Sequence, residues 1–341
     1  MVVEAASLAL ERGLGPLILV GTEEAVEGIP NSLKERVDTR IASEVIGMSD
    51  SPARAARAKK QSSMHVGMRA VRDQEAEAFV TAGNSGAALA VGLVTLKRLR
   101  GCDRPAIAST LPTAQGEVVL LDLGANTEIR PAQYAQFAVL GAAYSTLKTG
   151  IDRPRVGLLS NGVEVTKGTE SLRNAHRLLS VTDLNYMGFV EGNSIPLGRC
   201  DVVVTDGFVG NVALKLSEGV IEGATQRLRA HFKRSWSTRL VGWIAKRTLM
   251  SFAQEIDWRR FGGAPLLGLN GIVILSHGRS DASALCAAIH RAREASKHQL
   301  ISHLKSALEH TPYNGDINST TDLPWMRSTV ETKALKASDG D

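Results

Sequence analysis

Short apolar runs recur along the chain, and most of them lead through a glycine-containing turn into a helix-like segment. The runs cover residues 17–21, 78–83, 118–124, 156–160, 201–207 and 272–275. Because they do not alternate between apolar and polar positions, they predict strands buried on both faces, as in a parallel sheet. The segments between them suit crossover helices, so we expect an α/β fold with a doubly wound, mostly parallel sheet between helical layers, an α/β/α sandwich.

The two ends of the chain differ from this repeating pattern. A helix-like stretch at 3–12 precedes the first predicted strand, whereas folds of this class usually open with a strand. We interpret residues 1–310 as a single α/β domain. Residues 311–341 are polar and rich in Asn, Ser, Thr and Asp, so we expect a disordered tail there.

Residues 224–258 form a basic, Trp-bearing stretch that we interpret as a helical insertion. No acidic residue lies between Glu222 and Glu255. Helical spacing places an apolar stripe beside a basic one, which is typical of an interfacial helix on anionic lipid. The expected membrane-binding side chains are Trp236, Leu240, Trp243, Ile244, Lys246 and Arg247. A hairpin at a dimer interface is the alternative, and no motif supports nucleic-acid binding.

Composition narrows the function classes only a little. The 341 residues carry a net charge of +5, which suits an acidic protein, an anionic membrane or nucleic acid without choosing among them. The three cysteines are far apart and form no CxxC pair, which fits a reducing compartment and argues against a zinc site. We predict no metal and no cofactor. We find neither a spanning apolar stretch nor a signal-peptide pattern.

Three glycine-containing turns, at 81–86, 122–127 and 206–211, come directly after predicted strands. Free backbone N–H groups and the helix dipole make such turns natural anion sites. Each turn alone is more often only a turn, but three at strand ends favour a shared crevice for phosphate. The candidate phosphate-binding residues in these turns are Gly83, Asn84, Ser85, Gly86, Asn126, Gly207 and Gly210.

Other catalytic signatures are missing from the sequence. It contains no GxGxxG, no GxxxxGK[ST] and no GxSxG motif. His277 and Asp281, with serines nearby, suggest a catalytic triad only weakly, because spacing alone does not bring them together.

Six motifs lie at and around the three turns and further along the chain: KKQSSM at 59–64, TAGNSGA at 81–87, LDLGAN at 121–126, DVVVTDGFVGN at 201–211, FGGAPLLG at 261–268 and HGRSDA at 277–282. They resemble those of the PlsX family of phosphate acyltransferases. Their order is kept from about residue 40 to about residue 300, which makes the resemblance specific.

The resemblance implies a fold similar to phosphotransacetylases and to isocitrate or isopropylmalate dehydrogenases. It implies transfer of an acyl group from acyl carrier protein to inorganic phosphate, giving acyl-phosphate that a membrane glycerol-3-phosphate acyltransferase would consume. It also implies a cytoplasmic homodimer that is peripherally associated with the inner face of the cytoplasmic membrane. The basic insertion is then expected to meet lipid, with docking of the acidic carrier protein as another use for its basic face.

The same resemblance assigns expected roles to individual side chains. Lys167, in the polar loop at 162–170, would supply positive charge to phosphate or to the developing oxyanion. Asp206 would orient Lys167 or accept a phosphate proton, with His277 as a weaker candidate for that proton. Asn211 would orient phosphate or the thioester oxygen. Lys60 and Ser63 of the KKQSSM element are further candidates for phosphate binding.

Two alternatives accompany this interpretation. Members of the family normally begin with a strand and an MGGD-type loop that have no counterpart here, which suggests a late start codon or a truncated, catalytically impaired paralogue that binds membrane and carrier protein. A phosphate acetyltransferase that uses coenzyme A shares the expected fold, and donor choice distinguishes it from the main hypothesis.

Overall fold

The computed structural model describes residues 1–255, 263–276 and 280–310. The strands are β1 Ile18–Gly21, β2 Asp38–Ile41, β3 Ala78–Thr81, β4 Ala106–Thr113, β5 Gly116–Leu121, β6 Val156–Leu159, β7 Tyr186–Val190, β8 Val202–Val204, β9 Ala264–Leu267 and β10 Ile272–Leu275. The helices are α1 Val2–Glu11, α2 Glu23–Glu27, α3 Asn31–Lys34, α4 Pro52–Ala58, α5 Ser63–Arg72, α6 Ser85–Thr95, α7 Pro131–Thr149, α8 Glu170–Leu179, α9 Gly207–Phe232, α10 Trp236–Ile244, α11 Lys246–Glu255, α12 Ala282–Lys297 and α13 Leu300–Glu309. All six predicted strands and the first predicted helix are therefore present.

The main sheet has eight strands in the order β3-β10-β9-β4-β5-β8-β6-β7. Parallel pairs join β3 to β10, and join β5, β8, β6 and β7 to one another. Antiparallel pairs around β9 and β4 separate these two parallel groups. The α/β class and the mostly parallel sheet are confirmed, while the antiparallel centre was not anticipated.

Helices cover both faces of this sheet, as a doubly wound fold requires. One core lies between the sheet and α7, α8, α12 and α13. The other lies beneath α4, α5 and α6 and the first turns of α9, where Leu214 packs. Successive residues of one strand enter opposite cores, as Val203 and Val204 of β8 do. Burial on both faces is the physical reason why the strands are apolar without alternation.

A two-stranded parallel sheet of β1 and β2 stands apart from the main sheet. In the described part of the chain, β1 pairs only with β2, and β3 pairs only with β10. Helix α5 packs against both β1 and β3. The first apolar run therefore forms a strand as predicted, but not in the same sheet as the others.

A helical arm follows β8. Helix α9 continues without a break through residue 224, so the predicted insertion has no boundary there. Helices α10 and α11 fold next to it, and Phe232 of α9 lies within contact distance of Gly242. The rest of the predicted insertion, at 256–258, and the tail at 311–341 lie outside the described residues.

Candidate functional site

The turn after β5 is built on a buried carboxylate. Asp122 is 0% exposed, and its carboxylate accepts hydrogen bonds from the backbone N–H groups of Ile107, Ala125 and Asn126 and from the Asn126 side chain. Burial raises the pKa of Asp122, although these four donors act against that shift. The carboxylate thus ties the end of β5 to the start of β4.

Asn126 is occupied by this network. Its side-chain N–H group lies 2.8 Å from the carbonyl of Pro105 and 2.9 Å from the Asp122 carboxylate. The backbone carbonyl of Asn126 accepts the N–H of Gly207 at 2.7 Å. The side chain is only 7% exposed. Its side-chain N–H₂ group and its backbone N–H and carbonyl are therefore used to hold the turn, which does not favour the predicted contact with phosphate.

The segment 207–211 is the first turn of α9 rather than a loop, because Asp206 caps the helix. The Asp206 carboxylate accepts the N–H of Val209 at 2.9 Å and the Tyr134 hydroxyl at 3.4 Å. The N–H of Gly207 binds Asn126, and that of Gly210 binds the carbonyl of Asp206. The expectation that these two glycines offer free N–H groups to phosphate is therefore wrong.

Close packing, rather than phosphate binding, explains why residues 207 and 210 are glycines. A Cβ atom at Gly207 would lie 2.7 Å from the carbonyl oxygen of Asn126. At Gly210 it would lie 1.9 Å from the carbonyl oxygen of Asp122, a distance that no side chain tolerates. The glycines allow α9 to start directly against the Asp122 turn.

The polar side chains of Lys167 and Asn211 have no hydrogen-bonding partner within the described residues. Lys167 is exposed in the loop between β6 and α8, and a Cβ atom at Gly162 would meet its methylene groups. Within the described ranges its ammonium group makes no hydrogen bond or ion pair. Asp206 does not contact Lys167, since its carboxylate caps α9, so that part of the prediction is not supported. Asn211 is exposed beside Gly124, and its side chain likewise has no partner among the residues described.

The turn at 81–86 caps α6. Asn84 is the N-cap: its side-chain oxygen accepts the N–H of Ala87 at 3.0 Å. Its side-chain N–H group donates to the carbonyls of Met48 and Asp50, at 3.1 and 3.4 Å. Asn84 is thus structural, and a Cβ atom at Gly83 would lie 2.7 Å from Cε of Met64.

Free donors remain in this turn. In the described structure the N–H groups of Ser85 and Gly86 have no acceptor, as expected for the first positions of a helix. Ser85 is exposed. A Cβ atom at Gly86 would lie 2.9 Å from Pro52, so glycine is needed there for packing.

The KKQSSM element packs beside this turn. Lys59 binds the Asp50 carboxylate at 2.6 Å and the carbonyl of Val45 at 2.7 Å. The hydrogen bond from Lys59, followed by that from the N–H of Gly47, lowers the pKa of Asp50. Lys60 is exposed and Ser63 is the first residue of α5. Of the paired lysines, Lys60 is therefore the one that is available to an anion.

A buried histidine contact also escaped the sequence analysis. Nδ1 of His65 lies 2.9 Å from Oγ of the fully buried Ser62, and His65 is 4% exposed. Burial lowers the pKa of His65. Ser62 and His65 stand three residues apart, at the N-cap and third positions of α5, a spacing that could have indicated their contact. Asp50 and Lys59 lie nine residues apart, and no spacing rule pairs them.

The two ends of the candidate site are distinct. The turns after β5 and β8 are joined by the hydrogen bond from Gly207 to Asn126. The turn after β3 is separated from them in the sheet by β10, β9 and β4, and its hydrogen bonds go to Met48 and Asp50 instead. His277 lies outside the described residues. No cluster with the composition of a metal site occurs among the residues that the structure describes.

Comparison with known proteins identifies the family. Residues 1–303 match the family described as "Fatty acid synthesis protein". A phosphate acyltransferase of Syntrophotalea carbinolica is 45% identical over 296 residues, which cover 86% of this chain and 85% of that protein. A phosphate acyltransferase of Nitrosococcus oceani is 44% identical over 297 residues, which cover 86% and 87%. The chain belongs to the phosphate acyltransferase family.

Solved structures show where this phosphate acyltransferase family member stands among known folds. A phosphotransacetylase from Streptococcus pyogenes superposes with a TM-score of 0.56 at 18% identity, covering 90% of this chain and 91% of the other. A branched-chain phosphotransacylase from Enterococcus faecalis gives 0.51 at 15% identity, covering 85% and 93%. At these identities the likeness concerns the fold alone. It confirms the expected similarity of fold to phosphotransacetylases.

The predicted membrane-binding residues lie on the helical arm of this phosphate acyltransferase family member. Trp236, Trp243 and Ile244 of α10 are 80%, 74% and 69% exposed, and Leu240 is 51% exposed. Lys246 and Arg247 are exposed at the start of α11. None of the helices in the described ranges is long and apolar enough to cross a membrane.

Proposed function

We propose that this chain transfers the acyl group of an acyl-[acyl carrier protein] to inorganic phosphate, giving acyl-phosphate and free carrier protein. The observation that carries the proposal is the match to phosphate acyltransferases over 86% of the chain. The polar groups at the candidate site that have no partner within the described structure then suggest how the transfer is performed.

The reaction requires placement of two activated partners rather than a covalent relay. An oxygen of phosphate attacks the thioester carbonyl carbon, the C–O bond forms, and negative charge develops on the carbonyl oxygen. The C–S bond then breaks, and the thiolate of the carrier takes up a proton. Orientation of the reactants and stabilisation of the oxyanion are the main contributions that a protein can make to such a step.

Phosphate is proposed to bind at the amino terminus of α6. The free N–H groups of Ser85 and Gly86 and the positive end of the helix dipole support this position. Lys60 and Ser63 belong to the element that packs beside it. Asn84 contributes by holding the helix start in place.

Lys167 and Asn211 are proposed to bind the donor away from the reacting carbonyl. They follow β6 and β8, which are neighbours in the sheet, and several strands separate them from β3 and the phosphate proposed at α6. A cation and an amide without internal partners suit polar and acidic groups of the carrier protein.

The described cysteines do not favour a covalent thioester intermediate. All three are buried, and burial raises the pKa of Cys102 to about 12. Burial likewise raises the pKa of Cys200. A thiol of this kind is a poor nucleophile at neutral pH, which supports direct attack by phosphate.

Steady-state kinetics with palmitoyl-[acyl carrier protein] test the two halves of the site separately. Ser85→Glu should raise KM for phosphate about tenfold, because a carboxylate beside the bound anion repels it, whereas Ser85→Gln should not. Lys167→Met should raise KM for the acyl carrier protein donor about tenfold, because one charge that attracts the acidic carrier is lost. The matched control is Lys305→Met, which changes an exposed lysine on α13.

Either half can fail by itself. A phosphate KM that is equal in both Ser85 variants would remove phosphate from the start of α6. An unchanged KM for the donor in Lys167→Met would leave Lys167 as a solvated surface charge. Absence of phosphate-dependent release of carrier protein by the wild-type chain would refute the proposed activity itself.

Association with the inner face of the cytoplasmic membrane is proposed for the helical arm. The exposed tryptophans of α10 and the adjacent Lys246 and Arg247 support contact with an anionic lipid surface. Acyl-phosphate carries a long apolar chain, so release beside a membrane suits a membrane glycerol-3-phosphate acyltransferase as the next enzyme.

A homodimer is proposed through the exposed side of α9. Phe208, Val212, Leu216 and Val220 recur every four residues and are 63%, 52%, 65% and 61% exposed. Such a row on one helix face is typical of packing against a second helix.

A further inference from the structure

Three exposed apolar side chains lie at the end of β2 and in the segment that follows it, which contacts the start of α6 through Met48. Ile41, Val45 and Met48 are 58%, 61% and 67% exposed, and we call them the 41–48 patch. The neighbouring Ile46 points the other way and packs against the core beneath α6. The segment is thus anchored through Ile46 while Val45 and Met48 face outward.

The patch is attached to the turn at the start of α6 through its backbone. The Met48 carbonyl accepts the Asn84 side-chain N–H at 3.1 Å, and the Val45 carbonyl accepts Lys59 at 2.7 Å. Lys59 also binds Asp50, so the charges next to the patch are paired with each other. Met48 is therefore one hydrogen bond away from the N-cap residue of α6, and Val45 is fixed through Lys59.

The chemistry of the product identifies the occupant of this surface. In acyl-phosphate the carbonyl carbon is bonded to a phosphate oxygen, so the hydrocarbon chain begins next to the phosphate group. An enzyme that holds phosphate at the start of α6 must accept the first methylene groups within a few ångströms of that point. Apolar surface in this place suits a hydrocarbon, and an unbranched Met side chain adapts to a flexible one.

We propose that Val45 and Met48 bind the acyl chain of the donor and contribute to its chain-length preference. The proposal rests on the proposed function, because it needs an acyl thioester as substrate and phosphate at α6. It assigns the two side chains to substrate binding and not to the chemical step.

The test compares Met48→Gln with the wild type, using butyryl-, octanoyl- and palmitoyl-[acyl carrier protein]. The substitution keeps the side-chain length and the backbone hydrogen bond to Asn84. We expect kcat/KM to fall about tenfold for palmitoyl and less for butyryl, since contacts with methylene groups are lost in proportion to their number and the short chain covers less of the patch. Val45→Ser should act in the same direction, and KM for phosphate should not change.

Two exposed residues elsewhere provide matched controls. Met187→Gln, on the edge strand β7, and Val181→Ser, after α8, change side chains that are 53% and 73% exposed. Both should leave the three donors unaffected. An equal loss for all three donors in Met48→Gln, or no loss at all, would overturn the assignment.

Equilibrium binding without phosphate separates this inference from the proposed function. The affinity of the wild type for the three acyl carrier proteins should rise with acyl chain length, and that of Met48→Gln should rise less steeply. Wild-type protein that binds the donors in this way but does not turn them over would contradict the function and support the patch. An affinity that depends on chain length equally in both proteins would contradict the patch alone.

Discussion

At the scale of single residues, Asp122 connects the fold to the candidate site. Its carboxylate takes four hydrogen bonds while it is fully buried, and Gly210 of α9 packs against its backbone carbonyl. A buried acceptor of this kind stabilises a fold only while its donors stay paired, because an unsatisfied buried donor costs about 1–3 kcal/mol.

Asp122→Asn should therefore lower the free energy of unfolding by about 2 kcal/mol or more at neutral pH. The amide has one oxygen and turns its N–H₂ group toward backbone N–H groups that need an acceptor. Urea denaturation measures the change, with the exposed Asp152→Asn as the control. Equal stabilities of the two variants would show that the turn does not depend on the buried carboxylate.

Sequence reasoning placed several candidate residues in the right turns but did not show which of their polar atoms are free. Gly207, Gly210 and Asn126 lie in turns after strands, as predicted. The sequence did not reveal that the N–H of Gly207 binds the carbonyl of Asn126, because this bond joins two turns that are about 80 residues apart, or that the N–H of Gly210 binds the carbonyl of Asp206. Lys167 and Asn211 stay candidates, since nothing in the described structure occupies them.

At the scale of elements, apolar runs were a good guide to strands but a poor guide to their partners. β4 and β9 were not predicted as strands, and they are the ones that reverse the sheet direction. β4 contains Pro112 and polar positions, so it lacks the unbroken apolar character of the others. The start of α9 was mistaken for a loop because glycines precede its regular apolar spacing, although Asp206 provides a normal cap.

The ion pair between Asp50 and Lys59 holds the segment from Glu44 to Lys59 in place. Ionised Asp50 binds Lys59 and the N–H of Gly47, and its pKa lies below the ordinary value of 3.8. A carboxylate with a lowered pKa stabilises the folded state above pH 3.8, and this contribution is lost as the pH falls through the folded-state pKa.

Asp50→Asn should therefore be less stable than the wild type at pH 7, and the difference should shrink as the pH is lowered below 3.8. Thermal unfolding across this range is the measurement, with Asp38→Asn on β2 as the control. A difference that is independent of pH would mean that the shape of the side chain, not its charge, holds the segment.

At the scale of the whole molecule, the compact α/β body and the helical arm differ in what they bury. The body encloses two apolar cores, whereas α10 has no buried residue. A helix with two exposed tryptophans needs a partner surface to cover them.

The double substitution Trp236→Ser and Trp243→Ser should abolish sedimentation of the protein with vesicles that contain phosphatidylglycerol. Lys246→Gln with Arg247→Gln should weaken binding to these vesicles, because each basic residue near an anionic surface contributes about 1 kcal/mol. Val181→Ser is the control. Unchanged sedimentation, together with a shift from dimer to monomer in the tryptophan variant, would assign α10 to the subunit interface instead.

The unpaired edges of β1 and β3 affect how the protein behaves in concentrated solution. Within the described chain each strand has a neighbour on one side only, and neither contains a charged residue. A strand edge with free N–H and C=O groups and no charge to repel a neighbour is a template for another extended chain. In concentrated solutions, correctly folded copies of the protein should therefore associate through backbone pairing at this end of the molecule, and the fraction of monodisperse protein should fall.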